Sequence, residues 1–480
     1  MKNRIEKLKL FFNVLFLILA LYIFLVQIIW RDNYAVKKEN PRNNENFAYR
    51  GLIFDRMGET LCYNLTKENE TRRIYPLRNL FSPILGYAHK RLGKEGIEKY
   101  LDSSLKGKRL PGTIYEGVSF IHGKQLEGQN IYLTLDRRIQ KSARDALSGH
   151  KGAVVVMNPR SGEILASVSL PDYDPNQIEH AWDRLRKDIN APLINRVFDG
   201  RYPPGSTFKV FSLAVALQLG YVNSTDTFDC PGSFQLGTYR IHEAGSAVHG
   251  TVTIEDALAC SCNVAFAQVG LKIGAHNFCE YARNFGLTED FSTGIPVKAA
   301  FFPEAASLTE GGLAQSAFGQ GEIVIAPLHL ALIVCAVANE GNLMKPHMVK
   351  GTSRGKGAPV YLTHPEVWRQ PVSRETAYAV TEMMVQAVER GSGYAARIPG
   401  VRVAGKTGTA ENPHGEDHAW FVGFAPADNP EFLVVAVLEN SGFGGKVAAP
   451  VAGKILKECL ELRKGRSENE KGRGGQKGNR

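Results

Sequence analysis

The sequence predicts an α+β fold in three parts: one N-terminal transmembrane helix, a small α+β pedestal domain, and a larger domain in which helices flank a central antiparallel sheet. A single long apolar run lies near the N-terminus. Strand-like segments open and close the larger domain around a largely helical middle, an order typical of α+β proteins. The predicted boundaries are 1–9 for a cytoplasmic tip, 10–30 for the anchor, 31–148 for a juxtamembrane linker and the pedestal, 149–462 for the larger domain and 463–480 for a disordered basic tail.

The apolar run extends from Leu10 to Trp30 and is long enough to cross about 30 Å of hydrocarbon as a helix. An uncleaved single-pass anchor is favoured over a signal peptide, because the run is long and no small-residue cleavage site follows it. Basic residues before the run predict a cytoplasmic N-terminus, with the rest of the chain on the extracytoplasmic side of the cell membrane: Lys2, Arg4, Lys7 and Lys9.

The composition is that of a globular protein with a basic excess. Of the 480 residues, 44% are hydrophobic and 22% are charged, and the net charge is +10. The basic excess concentrates at the two ends without interleaved aromatic residues, so nucleic-acid binding is not expected. None of the seven cysteines forms a zinc-like CxxC pair, and we expect no metal and no cofactor. The sequence leaves open whether two of four cysteines form a disulfide: Cys230, Cys260, Cys262 and Cys279.

Local signals place the elements in order along the chain. A polar linker, Arg31–Phe47, follows the anchor, and a strand with a turn at Gly58 opens the pedestal. Two β-runs around a turn at Asn158–Gly162 predict a hairpin. Residues 463–480 have no apolar face, which predicts a disordered tail. Later strands and the last helix are predicted at Val401–Ala410, Ala419–Phe424, Phe432–Leu438 and Val447–Leu462.

A candidate nucleophile and its base lie in Ser206-Thr-Phe-Lys209. A Pro-Pro-Gly sequence precedes Ser206, and an apolar-periodic run continues to Gly220, which predicts a helix that begins at the serine. Free backbone N–H groups there favour negative charge, and Lys209 lies on the same face within reach of the hydroxyl. A lysine serves as base only when its pKa is lowered, which burial and a second cation such as Lys406 achieve. Other S-x-x-K matches lack this helix start: those at Ser103, Ser148 and Ser353.

A second motif, Ser261-Cys-Asn263, follows a capping-box-like start at Thr253, and we expect both polar residues in one helical stretch. The Ser261 hydroxyl is suited to relay a proton to a leaving amine. Asn263 is suited to orient Lys209 and to hold a substrate carbonyl.

A third motif, Lys406-Thr-Gly-Thr409, lies on a predicted strand. Gly408 removes a side chain, so that a substrate backbone can approach closely. Lys406 and the hydroxyls of Thr407 and Thr409 suit a substrate carboxylate. The backbone N–H groups of Ser206 and Thr409 are the expected oxyanion-hole pair.

The order S-x-x-K, S-x-N, K-T-G resembles that of the penicillin-binding proteins and serine β-lactamases. Cys262 stands where the pattern has Asp, at a position that varies in the family. The chain resembles a class B penicillin-binding protein over most of its length, and no glycosyltransferase-like segment precedes the pedestal, unlike in the bifunctional class A type. Supporting similarity lies at Arg50–Gly58, Tyr202–Ser206, Gly319–Gly321 and Trp420–Gly423.

The resemblance implies a peptidoglycan D,D-transpeptidase. Ser206 would attack a D-Ala-D-Ala stem peptide, release D-alanine and pass the acyl group to an amine of a neighbouring stem peptide; β-lactams would acylate the same serine. The implied catalytic residues are Ser206, Lys209, Ser261, Asn263 and Lys406, with substrate contacts from Thr407, Gly408 and Thr409.

Other functions stay open at this point. A D,D-carboxypeptidase or a β-lactamase would pass the acyl group to water, although the permanent anchor and the pedestal favour a polymer-building enzyme. A protein of another class, a mainly regulatory partner of a membrane enzyme, would use the pedestal for interaction. The resemblance implies a SEDS-family glycosyltransferase as that partner, alongside or instead of catalysis.

Overall fold

The structure is a computed structural model that describes residues 2–24, 50–68, 70–106, 127–237, 239–355, 361–413 and 415–475. The first helix, α1, is Lys2–Phe24. Within the described residues it is the helix long and apolar enough to cross a membrane, over Glu6–Phe24. The rest of the predicted anchor, 25–30, and the linker Arg31–Phe47 lie outside the described residues, as does the end of the tail, 476–480.

The described chain forms strands and helices that are numbered here in chain order. The strands are β1 Ile53–Phe54, β2 Thr60–Lys67, β3 Glu70–Ile74, β4 Ala88–His89, β5 Gly93–Lys94, β6 Asn130–Leu133, β7 Gly152–Met157, β8 Ile164–Leu170, β9 Thr227–Cys230, β10 Ser233–Leu236, β11 Tyr239–His242, β12 Gly250–Thr253, β13 Phe291–Ser292, β14 Pro296–Val297, β15 Leu343–Met344, β16 Val349–Ser353, β17 Tyr361–Leu362, β18 Val367–Arg369, β19 Ala404–Ala410, β20 His418–Ala425 and β21 Phe432–Leu438.

The helices after α1 are α2 Ser82–Leu85, α3 Gly96–Tyr100, α4 Asp102–Leu105, α5 Arg137–Leu147, α6 Ile178–Lys187, α7 Arg196–Asp199, α8 Lys209–Gln218, α9 Ile254–Ala259, α10 Asn263–Ile273, α11 Ala275–Asn284, α12 Glu310–Ala317, α13 Pro327–Ala338, α14 Arg374–Glu389 and α15 Ala448–Gly475.

The central sheet of the larger domain is antiparallel and has the order β19-β20-β21-β7-β8. Alternate side chains enter two separate cores: Val155 and Met157 face one, whereas Val154 and Val156 face the other. Helices α5 and α15 cover the second core and α13 covers the first. The sheet is therefore buried between helical layers, as predicted, and β19 forms one of its edges.

The pedestal is a six-stranded sheet of order β17-β16-β6-β1-β2-β3. Strand β16 pairs antiparallel with β6, where Thr352 lies opposite Ile131. Two strands of this sheet thus come from the segment 349–362, which the predicted division assigned to the larger domain. Conversely, α5 was assigned to the pedestal but packs on the central sheet through Ile139, Ala143 and Leu147. A division into contiguous segments misses such exchanges, because strand pairing is set by tertiary contact.

The last helix also differs from the expectation. Helix α15 continues to Gly475, whereas the sequence predicts its end at Leu462 and a tail without regular structure. Its first turns are anchored by buried Ala448, Ala452 and Ile455. A helix already nucleated by packing extends into a polar segment at little cost, since each added residue gains one hydrogen bond.

A buried ion cluster holds the pedestal together. Glu98 is fully buried and accepts hydrogen bonds from Arg50 Nε at 2.7 Å and from Arg73 Nε at 2.9 Å. Arg50 also donates to Asp102 Oδ1 at 2.6 Å, and the Tyr75 hydroxyl donates to Glu98 at 3.2 Å. The cluster joins the segment before β1 to β3 and α3. Glu98 therefore pairs with both buried guanidinium groups, and Asp102 is a second, partly exposed partner of Arg50.

We predict that Glu98→Ala destabilises the pedestal by about 3–5 kcal/mol, because it leaves two buried cations without their shared counter-ion. Hydrogen exchange of β2 and β3 in the full-length protein measures this effect and is expected to accelerate strongly. Glu70→Ala, which removes the exposed partner of Arg72, serves as control and should leave exchange unchanged. Equal protection in both variants would contradict the assignment.

Candidate active site

Ser206 lies in one 3-10 turn, Gly205–Phe208, that continues directly into α8. Gly205 has a φ of 56° and donates its N–H to the carbonyl of Gly319 at 2.9 Å. A Cβ on Gly205 would lie 2.7 Å from the Thr409 carbonyl oxygen. This glycine thus permits both the left-handed turn and the close contact with β19. The serine is placed at the start of a helix, as predicted, and against the third motif.

Lys209 is fully buried in the first turn of α8. Its ammonium donates to the Ser261 carbonyl at 2.6 Å, to Asn263 Oδ1 at 2.7 Å and to Ser261 Oγ at 3.2 Å. Within the described chain these three hydrogen bonds all lead to the second motif. Asn263 therefore holds Lys209, as the sequence predicts, while contact with the Ser206 hydroxyl stays a prediction.

The second motif is a tight turn between two helices, so the expectation of a single helical stretch is wrong. Helix α9 ends at Ala259, Ser261 has a φ of 64°, and α10 begins at Asn263. The Cys262 sulfur accepts from the Ala265 N–H at 3.3 Å and so caps α10. The sequence has no glycine or proline at this turn, and cysteine is an unusual helix cap, so local patterns do not indicate the break between α9 and α10.

The third motif lies on the edge strand β19. Lys406 is fully buried and donates to Ser261 Oγ at 2.9 Å and to the Thr407 carbonyl at 3.0 Å. A Cβ on Gly408 would lie 2.9 Å from Thr207 Cγ2, so this glycine allows the strand to pack beside the serine turn. Thr409 Oγ1 accepts from the Gly444 N–H at 3.4 Å. All eight predicted site residues therefore lie in three segments that meet.

Burial governs the charge state of both lysines. It lowers the pKa of Lys209 to about 8, although the negative charge of Glu243 opposes the effect. Burial, together with the charge of Lys209, also lowers the pKa of Lys406 well below its ordinary value. Two amines that share the Ser261 hydroxyl are thus biased toward losing a proton, which is the condition for a lysine base.

Two residues of the site have no signal in the sequence motifs. Glu243 follows β11 and accepts from the backbone N–H groups of Val264 at 2.7 Å and Asn263 at 3.0 Å, where a helix N-terminus favours an anion. Ser392 follows α14, and its hydroxyl accepts from Thr407 Oγ1 at 2.6 Å. Both residues hold motif residues in place from distant parts of the chain. A motif search cannot find them, because they have no fixed spacing to the motifs.

Two family models match the chain. The penicillin binding protein transpeptidase domain matches residues 152–457, and the penicillin binding protein A dimerisation domain matches residues 50–131. The peptidoglycan D,D-transpeptidase PbpA of Mycolicibacterium smegmatis is 33% identical over 88% of this chain and 92% of its own. PbpA of Mycobacterium tuberculosis H37Rv is also 33% identical, over 93% and 96% of the two chains.

Solved structures of penicillin-binding protein A from M. tuberculosis have a similar fold. A ceftriaxone acyl-enzyme complex superposes with a TM-score of 0.80 at 32% identity, over 86% of this chain and 98% of that chain. A penicillin G acyl-enzyme complex superposes with a TM-score of 0.79 at 32% identity, over 86% of this chain and 99% of that chain. The matched domains, the relatives and the fold agree with the three motifs, and the chain belongs to the penicillin-binding protein transpeptidase family.

Proposed function

We propose that the protein is a serine-type peptidoglycan D,D-transpeptidase that cross-links stem peptides through an acyl-enzyme on Ser206. The observation that carries the proposal is the Ser261 hydroxyl, which contacts the ammonium groups of Lys209 and Lys406 beside the serine turn. The relatives are named peptidoglycan D,D-transpeptidases, and β-lactam acyl-enzymes of one of them are solved, which supports the same chemistry here.

In the first step Ser206 attacks the carbonyl between the two D-alanine residues. Neutral Lys209 takes the hydroxyl proton, since its lowered pKa leaves an accessible fraction of free amine at neutral pH. The backbone N–H groups of Ser206 and Thr409 stabilise the oxyanion. Asn263 keeps Lys209 oriented through the 2.7 Å hydrogen bond to its ammonium.

The tetrahedral intermediate then expels D-alanine. The departing amine needs a proton, and Ser261 is placed to supply one because its hydroxyl is hydrogen-bonded to both lysines. Lys209 returns the proton it took from Ser206 through this hydroxyl. The acyl-enzyme is next attacked by the amine of a second stem peptide, and the same groups operate in reverse.

The donor peptide binds along β19. This strand lies at the edge of the central sheet, so an extended peptide can pair with it as a further strand. Lys406, Thr407 and Thr409 bind the terminal carboxylate, and Gly408 keeps the strand close to the serine turn. Ser392 fixes the Thr407 hydroxyl by a 2.6 Å hydrogen bond.

The proposal extends to topology and partner. Basic residues in the first turns of α1, ahead of its apolar run, favour a cytoplasmic N-terminus and a catalytic domain on the extracytoplasmic side, where peptidoglycan is assembled. We propose a SEDS-family glycosyltransferase as a membrane partner, in line with the family resemblance and with the pedestal, which lies between α1 and the catalytic domain along the chain. If the protein were purely regulatory, its Ser206→Ala variant would still support wall growth.

We predict that Ser206→Ala abolishes the covalent adduct with a fluorescent penicillin, because the neighbouring hydroxyl, that of Thr207, is buried and donates to the Pro204 carbonyl at 2.6 Å. The full-length protein is labelled in detergent and followed over time by gel fluorescence. Ser103→Ala, which removes the serine of an exposed S-x-x-K match, is the control and should label like wild type.

The fate of the wild-type adduct separates the alternatives. A persistent adduct supports a penicillin-binding protein, whereas rapid loss of the label would indicate a β-lactamase. With stem peptides and an amine acceptor, cross-linked dimer is expected; free D-alanine without dimer would identify a carboxypeptidase and contradict the proposal.

We also predict a pH dependence of acylation. Because the pKa of Lys209 is lowered to about 8, its neutral form increases as pH rises. The second-order rate of penicillin acylation should therefore increase about tenfold per pH unit on the acidic side of that pKa and level off above it. Burial keeps the pKa of the Cys260 and Cys262 thiols high, and Glu243 has a lowered pKa despite its burial because of the hydrogen bonds it accepts.

Lys406 also lies near Lys209, and burial lowers its pKa as well, so its titration could contribute to the same pH dependence. Lys209→Arg resolves it: this variant keeps a positive charge and cannot act as base, so it should acylate slowly without the rise. An acylation rate of the wild type that does not change across neutral pH would contradict the assignment of Lys209 as base.

A further inference from the structure

The segment that leads to the nucleophile, Tyr202–Ser206, is held from two sides, and one of the contacts lies outside the three motifs. On the helical side, Tyr202 exchanges two backbone hydrogen bonds with Ile325, at 3.0 and 2.9 Å. On the other side, the Tyr202 hydroxyl donates to Glu439 Oε1 at 2.7 Å. Glu439 directly follows β21, so this hydroxyl joins the serine segment to the sheet that carries Lys406.

The sequence between Tyr202 and the serine explains why a side chain makes this connection. Pro203 and Pro204 have no backbone N–H and cannot donate a hydrogen bond to the sheet. The N–H of Gly205 is used by the carbonyl of Gly319, which follows α12. Among the described residues, the Tyr202 hydroxyl is therefore the donor that links this stretch of chain to the central sheet.

Glu439 is itself held in place by two cations. Arg196, which is 3% exposed, donates its Nε to Glu439 Oε1 at 2.7 Å, and Lys151 Nζ lies 3.0 Å from Oε2. The guanidinium of Arg196 also donates to the backbone carbonyls at 190–191. Burial opposes ionisation of the Glu439 carboxyl group, but the hydrogen bonds from Tyr202 and Arg196 outweigh it and lower its pKa. The acceptor is thus a charged oxygen in a fixed place, which strengthens the hydrogen bond.

The ring of Tyr202 is also fixed by packing. The residue is 8% exposed, and its ring meets those of Trp420 and His418 edge-on, with centroid distances of 5.8 and 5.5 Å. A Cβ on Gly200 would lie 2.4 Å from Tyr202 Cε2, so this glycine makes room for the ring. Replacement by phenylalanine keeps the packing and removes the hydrogen bond alone.

We propose that Tyr202 and Glu439 are positioning residues for the nucleophile, whose hydrogen bond sets the place of Ser206 relative to the strand that carries Lys406. The inference rests on the proposed function, because it concerns the acylation of Ser206. Neither side chain is assigned a part in the proton transfers. A nucleophile misplaced by about 1 Å can lose a factor of about one hundred in rate. Loss of the contact therefore slows the chemical step and leaves substrate binding along β19 unchanged.

The test compares two Tyr→Phe variants of the full-length protein in detergent. Tyr202→Phe removes the hydroxyl that donates to Glu439. The control, Tyr173→Phe, removes the hydroxyl of a similarly buried tyrosine, which donates to the Ser82 carbonyl outside the serine segment. Rapid-mixing kinetics over a range of fluorescent penicillin concentrations separate the dissociation constant of the noncovalent complex from the acylation rate constant.

We expect the acylation rate constant of Tyr202→Phe to fall about tenfold, the lower end of what one hydrogen bond to a charged group is worth. The dissociation constant of the noncovalent complex and the final amount of adduct per chain should match those of wild type. The pH at which the rate levels off should not move, because Lys209 is unaffected. Tyr173→Phe should acylate like wild type.

Two results for Tyr202→Phe would overturn the proposal. One is an acylation rate constant equal to that of wild type. The other is a smaller final amount of adduct, with a lower melting temperature and an unchanged rate constant, since a merely structural contact would have that effect. Wild type that forms no adduct would instead contradict the proposed function, and with it the positioning role.

A double variant tests whether the hydroxyl acts through Glu439. If it does, Tyr202→Phe combined with Glu439→Ala should acylate no more slowly than Glu439→Ala alone. A further loss as large as that of Tyr202→Phe in the wild-type background would contradict the pairing. Glu439→Ala leaves the buried Arg196 without its counter-ion. If this variant does not fold, the comparison of Tyr202→Phe with Tyr173→Phe still decides the proposal.

Discussion

The arrangement of the site depends on one hydroxyl placed between two buried ammonium groups. Ser261 Oγ lies 3.2 Å from Lys209 Nζ and 2.9 Å from Lys406 Nζ, and all three belong to different motifs. Two like charges in a low-dielectric interior repel each other, so the charged forms persist only where polar atoms accept hydrogen bonds from them. The oxygens of the second motif fill this role. The same contacts hold the motifs together and prepare one lysine to lose its proton.

The surrounding fold supplies what these contacts require. Both faces of the central sheet are buried, and its edge strand β19 carries Lys406, which contacts Ser261 in the turn between α9 and α10. Gly205 and Gly408 let the serine turn and this strand approach more closely than any side chain would permit. Glu243, anchored at the N-terminus of α10, fixes the second motif from behind. The reactive groups are therefore placed by backbone and buried polar contacts.

Much of this arrangement was predictable from the sequence because it depends on local patterns. Ser206 follows a chain break and precedes an apolar period, and Phe432–Leu438 is a β-run whose bounds coincide with β21. Features set by tertiary contact were not predictable. The left-handed turn at Ser261 contains no glycine that would indicate it in the sequence. Ser392 and Glu243 have no fixed spacing to a motif. Strand β16 joins a sheet whose other main strands lie more than two hundred residues earlier in the chain.

The exchange of strands between the two parts has a consequence for the order of assembly. Strand β6 pairs with β1 on one side and with β16 on the other, so the pedestal sheet combines residues that precede the catalytic region with residues from within it. During synthesis from the N-terminus, the edge of β6 stays unpaired until the segment 349–353 has emerged. An unpaired edge is a template for wrong partners. The pedestal is thus expected to reach its final fold late, only after most of the catalytic domain has been made.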